Sequence, residues 1–201
     1  MSAAPDTATA TEAADTVTRW IGVLFAIGSA CFLVGPLPGF VELVGSEVDA
    51  AVFFAGSVFF TSAALLQVLH SGGGLDRWSC VVQFAGTLFF NVSTFHALQT
   101  GLDTNEYDRL VWRPDWRGSI CFLASGVLAY LAVRRLSHRA RDWRIAVINL
   151  AGCVAFGISA IAGYVVRSTG SAIDLAAANA WTSLGALCFL VGALMLLPAR
   201  R

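Results

Sequence analysis

Apolar residues in this chain gather into six long runs, at about 19–43, 50–69, 78–99, 117–134, 143–166 and 176–198, separated by short polar stretches. Each run is close to the roughly 20 residues that a helix needs to cross a hydrocarbon core about 30 Å thick. None alternates with the period of two expected of a barrel strand. Lipid offers no partner to open backbone polar groups, so the pattern predicts helices. The expected fold class is all-α, a six-transmembrane-helix bundle spanning 19–198. Pro36 and Pro38 predict a kink or fraying in the first run. Residues 1–18, rich in Ala and Thr, lightly acidic and without a basic leader segment, read as a disordered cytoplasmic tail.

Composition agrees with this pattern. The chain is 57% hydrophobic and 13% charged, against about 25% charged in soluble domains, and its mean hydropathy is +0.70. Formal net charge is zero, so nucleic acid is not an expected partner. The expected partner is the lipid bilayer, with room left for a homo-oligomer. All thirteen basic residues are Arg, which together with abundant Ala, Val, Leu and Gly suits a GC-rich bacterial genome. Cys31, Cys80, Cys121, Cys153 and Cys188 are scattered singly without metal-ligand or redox spacing, and read as small packing residues.

The arginines orient the chain. Arg134, Arg135, Arg139, Arg141 and Arg144 lie between the fourth and fifth runs, and Arg19, Arg77, Arg200 and Arg201 fall on the same side. Only Arg109, Arg113, Arg117 and Arg167 fall on the other. The positive-inside rule then predicts both termini in the cytoplasm of a plasma-membrane protein. The six tryptophans all fall near predicted span ends, where an aromatic belt belongs.

Every run also carries the same three-residue signature: Gly, Phe four residues later, and a small residue seven after the Gly. The six copies begin Gly28–Phe32, Gly56–Phe60, Gly86–Phe90, Gly118–Phe122, Gly152–Phe156 and Gly185–Phe189. About 1.3 such Gly–Phe pairs are expected by chance from 19 Gly and 14 Phe in 201 residues; six occur, one per run. At about 100° per residue the three positions share one helix face. The first, fourth and sixth copies read G-[SA]-x-C-F-L, and the others A-G-[STC]-[VL]-x-F, which suggests repeated helical hairpins or two three-span halves. The face reads as a packing seam, with a ring of small residues around a narrow pore as the alternative.

Paired spans with G-S-x-x-F, and the stretches FFAGSVFFTSAALLQ (53–67), QFAGTLFFNVSTF (83–95) and VWRPDWRGSICFL (111–123), resemble the YrhK-like family of bacterial integral membrane proteins. The resemblance covers about 19–198 and implies the membrane architecture alone. It brings no activity and no functional residues.

The third run is the most polar. Gln83, Thr87, Asn91 and Thr94 fall on one face, which cannot meet lipid without cost. They read as interhelical glue or as the lining of a path for a small neutral solute. His96 lies roughly opposite that stripe. His70 and His96 fall at opposite membrane faces, so they do not suit a bis-His haem. Glu42 is the one carboxylate inside a predicted span, which argues against a proton pump. The segment 100–116 is expected to be an interfacial loop with paired charges and anchoring tryptophans. No nucleophile motif, phosphate loop, metal cluster or cofactor signature is present. The chain reads as a non-enzymatic multi-pass membrane protein of unassigned role, or alternatively as a channel or facilitator for a small neutral solute.

Overall fold

The computed structural model describes residues 7–197, and these are almost entirely helical. Six long helices dominate: α1 (Thr7–Val34), α3 (Ser46–His70), α4 (Gly74–His96), α6 (Arg113–Val133), α7 (Arg141–Ala162) and α8 (Leu175–Leu196). Between them lie two short helices, α2 (Phe40–Val44) and α5 (Thr104–Tyr107), and two-residue strands β1 (Val165–Val166) and β2 (Ser171–Ala172). Five segments are long and apolar enough to cross a membrane: Glu12–Val34, Ser46–His70, Thr104–Val133, Arg141–Ala162 and Leu175–Leu196. The sixth long helix, α4, has comparable length but carries the polar stripe, which lowers its hydropathy.

The long helices form a ring in chain order. Each packs on its sequence neighbours, and α8 closes the ring against α1. Short connections make neighbours antiparallel, so α1, α4 and α7 run one way and α3, α6 and α8 the other. One end of the ring holds the arginine-rich α6–α7 turn. The other holds Glu42, Glu47, Asp49, Asp103, Asp108 and Asp115, and is called here the acidic end.

Four sequence expectations change. Residues 7–18, read as part of a disordered tail, extend α1 instead; Met1–Asp6 lie outside the described residues. Alanine favours helix, the Thr16 and Thr18 hydroxyls donate to the carbonyls of Glu12 and Ala14, and Val17 packs against the core. The first apolar run is not one helix. Pro36 and Pro38 cannot continue a helical ladder, so α1 stops at Val34, and Gly39 and Gly45, at φ +86° and +85°, flank the separate α2.

Segment 100–116 is mostly helix. Asp103 and Glu106 form a reciprocal capping box that starts α5. A π-helical turn over Asp108–Trp112 then leads into α6. Pro114 lies just inside α6, where its ring and missing N–H disturb the carbonyl four residues back. The wider π turn accommodates this without ending the helix. The fifth run ends as helix at Ala162, four residues early, and its β-branched Val165–Val166 pairs antiparallel with Ser171–Ala172.

Candidate functional site

The six repeated phenylalanines all turn inward and meet at the middle of the ring. Phe32, Phe90 and Phe156, from the three helices running toward the acidic end, form one triangle with ring centroids 6.4, 6.0 and 5.9 Å apart. Phe60, Phe122 and Phe189, from the three opposed helices, form a second, with spacings of 6.4, 6.0 and 5.8 Å. The triangles join through Phe32–Phe60, Phe90–Phe122 and Phe156–Phe189, at 5.7, 5.0 and 5.5 Å. Edge-on geometry, which suits the ring quadrupole, prevails within this double layer.

Glycine makes the layer possible. A methyl group added to Gly28 would stand 2.7 Å from the Phe60 ring, and one on Gly56 would meet Cys31 and Phe32. The same reciprocity joins Gly86 to Phe122 and Gly118 to Phe90, then Gly152 to Phe189 and Gly185 to Phe156. Each pair of helices therefore approaches backbone to backbone, and each bare glycine seats its partner's ring. The cysteines also take part. Cβ of Cys31, Cys121 and Cys188 lies against the space above Gly56, Gly86 and Gly152, at 2.8, 3.0 and 3.1 Å from where a Cβ would stand. The two flavours of the motif are thus the two complementary sides of each helix pair.

Almost no space remains among the rings. The void bordered by Phe32, Phe60, Phe90, Phe122, Phe156 and Thr87 measures about 10 Å³, at or below what one water molecule needs. On either side the axis opens. At the acidic end a cavity of about 400 Å³ touches all six long helices; Phe32 and Phe156 form its floor, and Asp49, Asp115, Thr94 and Asn179 stand in its walls. Beyond the other triangle a pocket of about 70 Å³ lies against Phe60 and Phe189 and is ringed by Gln67, Gln83 and Asn149. It shares Gln67 and Leu196 with a larger recess of about 320 Å³ that includes His70 and Asp76.

The polar stripe of α4 runs past both chambers and the layer between them. Gln83 lines the arginine-end pocket. Thr87 is fully buried at the phenylalanine layer, and its hydroxyl donates to the Phe84 carbonyl at 2.7 Å. Thr94 lines the acidic-end cavity; its hydroxyl donates to the Phe90 carbonyl at 2.8 Å and lies 2.9 Å from that of Ser57. Asn91 turns to the α3–α4 contact, where its amide donates to Thr61 Oγ1 at 2.8 Å. His70 and His138 lie away from the axis, one bonded to the Leu66 carbonyl and the other packed on Trp143, and His96 is bonded to Gln99.

Side chains around the acidic-end cavity are braced. Asp108, 4% exposed, accepts from Arg113 Nη2 at 2.9 Å and Arg167 Nη2 at 3.2 Å, tying the π turn to the β-hairpin. Ser93 donates to the Val111 carbonyl at 2.9 Å, and Trp112 Nε1 to the Ala160 carbonyl at 2.8 Å. The charges of segment 100–116 are therefore only partly paired. Asp115 faces the cavity, as does Asp49, whose buried Oδ1 has no hydrogen-bond partner.

Asp49 and Asp115 correct the reading that only Glu42 brings a carboxylate into the bundle. They fall one and two residues outside the predicted runs, but the helices start earlier and turn them onto the axis. Gln67 and Asn149 were also missed. The signal for Asn149 lay in the repeat: Phe25, Gln83 and Asn149 each stand three residues before the motif glycine of α1, α4 and α7, and all three border the same pocket; Gln67, on α3, falls outside that register. Ser79 is likewise on the seam face, seven residues before Gly86, and donates to the Ser125 carbonyl at 3.0 Å. Among the described residues no group of three or more His, Cys, Asp or Glu could hold a metal ion. Comparison with family models, curated proteins and solved structures gives no match to this chain.

Proposed function

We propose that this chain is a six-span membrane protein whose axis is a gated pathway for a small polar solute, closed at the phenylalanine double layer. One observation carries the reading: two chambers with polar side chains in their walls share an axis and are separated by a layer of six rings from six different helices. A dry aromatic constriction between wet chambers is a barrier to polar solutes while closed. It opens when a few rings change rotamer. The 400 Å³ chamber lies within the range of small-molecule sites. Under this reading α4 spans the membrane with the other five, its polar residues turned to neighbours and to the chambers. Both termini lie in the cytoplasm of a bacterial plasma membrane, and the chain has no enzymatic role. Three duplicated hairpins, α1–α3, α4–α6 and α7–α8, account for the reciprocal Gly–Phe pairs. Kinship to the YrhK-like family rests on the sequence stretches quoted above.

The test is solute entry into proteoliposomes, followed by stopped-flow swelling in glycerol. Wild-type protein should raise the rate above protein-free vesicles, and Phe122→Leu or Phe156→Leu should raise it further by thinning the layer. Folded variants that swell at the protein-free rate, like the wild type, would remove the pathway.

A further inference from the structure

The wall of the acidic-end chamber is incomplete on one side. Helix α1 stops at Val34, leaving its neighbours α3 and α8 to continue past it toward the acidic end. The gap is occupied only by the Gly35–Gly39 turn and α2. Here lies a second hollow of about 770 Å³, bordered by Pro36, Leu37 and Val41 on one side and Leu175, Ala176 and Ala180 on the other. Its lining is mostly apolar, and Leu37, Val41 and Leu175 are exposed. Asp49, Phe53, Leu175 and Asn179 border both this hollow and the axial chamber. The two spaces are therefore neighbours across a single layer of side chains, with a carboxylate at the junction.

Charge at the junction is one-sided. No Arg or His lines the axial chamber, while Asp49 and Asp115 both do. Arg113 and Arg167, at the same end, are engaged by Asp108 instead. Asp49 is half-buried and its Oδ1 has no hydrogen-bond partner, so the carboxylate is free to accept from a ligand in the chamber. Aromatic rings of Phe32, Phe53, Tyr107 and Trp112 stand in the same walls, and such faces attract cations. Asp49 lies in the first turn of α3, the depth at which lipid head groups meet the hydrocarbon under the membrane placement proposed above, and Asp115 follows the π turn that leads into α6.

We infer that the acidic-end chamber binds the cationic head of a single-chain amphiphile, an alkyl-ammonium compound, which enters sideways between α3 and α8 with its chain in the apolar hollow. This rests on the membrane placement and axial chamber of the preceding reading and specifies the ligand class. Asp49 and Asp115 hold the ammonium. The break in α1 is then the entrance, because an unbroken helix through 35–43 would fill the gap.

The experiment measures binding of tritiated decyltrimethylammonium to the full chain in phosphatidylcholine nanodiscs, with tetraethylammonium and decyl maltoside as competitors. Saturable binding at one site per chain is expected, displaced by excess unlabelled decyltrimethylammonium, weakly by tetraethylammonium and poorly by decyl maltoside. The D49N/D115N double variant should bind at least tenfold more weakly. Ala180→Trp should slow association several-fold by narrowing the entrance, while Leu187→Trp, two turns away on the same exposed face of α8 and outside the lining of the hollow, should not. Binding that is unsaturable, equal in the double variant, or displaced equally by decyl maltoside would overturn the inference. In the last case the hollow is a general acyl-chain site. Circular dichroism and elution profile establish that each variant is folded, and the Ala180→Trp rate tests the entrance without altering either carboxylate. Glycerol swelling in parallel separates the two readings: flux with no ammonium site removes this inference alone, and an ammonium site with no flux removes the pathway alone.

Discussion

The middle of the bundle and its acidic end are built from the same six helices but by opposite means. In the middle, one device is used six times: a bare glycine receives the ring of an antiparallel partner, and six rings fill the axis until about 10 Å³ is left. At the acidic end the three connections differ. A proline-broken turn, a π turn and a two-residue β-hairpin leave about 400 Å³ open among two carboxylates, hydroxyls and an amide. Repetition gives density, because equal residues at equal depth can close around an axis. Irregularity gives a chamber, because helix ends of unequal length and direction cannot.

The sharpest way to break this comparison is to remove a ring. Phe122 is 3% exposed and touches rings of both triangles. Phe122→Ala should destabilise the protein by about 3–5 kcal/mol, the usual range for a buried phenylalanine. Phe95→Ala, at a position 52% exposed, should cost far less. Denaturant unfolding in detergent micelles compares them, and equal midpoints would mean the layer is not the core. At the acidic end the corresponding lesion is Asp108→Asn, which weakens hydrogen bonds from two arginines. A loss of about 1.5–3 kcal/mol is expected from charge-assisted bonds, tempered because Arg113 and Arg167 are half-exposed. Melting in low and high salt checks this: the difference from wild type should shrink as salt screens the pairs.

Overpacking the seam should come next. Gly152→Leu places an isobutyl group where Cys188 and the Gly185 carbonyl already stand 3.1 Å from an added Cβ. About 1–3 kcal/mol is expected, and Val154→Leu, at a position 44% exposed, should be near neutral. Indistinguishable melting temperatures would separate the repeat from the packing. The smallest effect belongs to Asn91→Leu. Its single interhelical bond to Thr61 is of a kind worth about 0.6 kcal/mol in membrane bundles, so a shift near the limit of calorimetry is expected. A loss several times larger would show Asn91 doing more than joining α3 to α4.

Sidedness sharpens the comparison without an energy scale. In a background without native cysteines, Thr104→Cys should react with membrane-impermeant maleimide in intact cells, and Ser137→Cys should not. The reverse pattern would place the acidic chamber on the cytoplasmic face.

Much of the fold was legible because the bilayer's demands are one-dimensional. Apolar runs of the right length mark all six long helices, α4 included although its polar stripe dilutes its hydropathy, and the Gly–Phe spacing recurs in each. Apolar span ends were less legible. Pro36 and Pro38 pointed to the break after Val34, but nothing local said that Val165–Val166 would leave helix for a strand. Nor did composition show that Thr104–Trp112 would prolong α6, since its capping box looks like loop polarity until the following turn is known.

The motif's spacing by itself determined that Gly, Phe and a small residue would share a face on each helix, because 3.6 residues per turn permits nothing else. Whether those faces met in pairs, or all six around one axis, was decided only by the ring closure of α8 onto α1. A helix periodicity fixes direction relative to its own axis and carries no information about where other axes lie. The same holds for Asp49 and Asp115. Sequence placed them at span ends, where carboxylates are ordinary. Only the early start of α3 and α6 and the closure of the ring turned both into one chamber, because burial is a property of neighbours that arrive from distant parts of the chain.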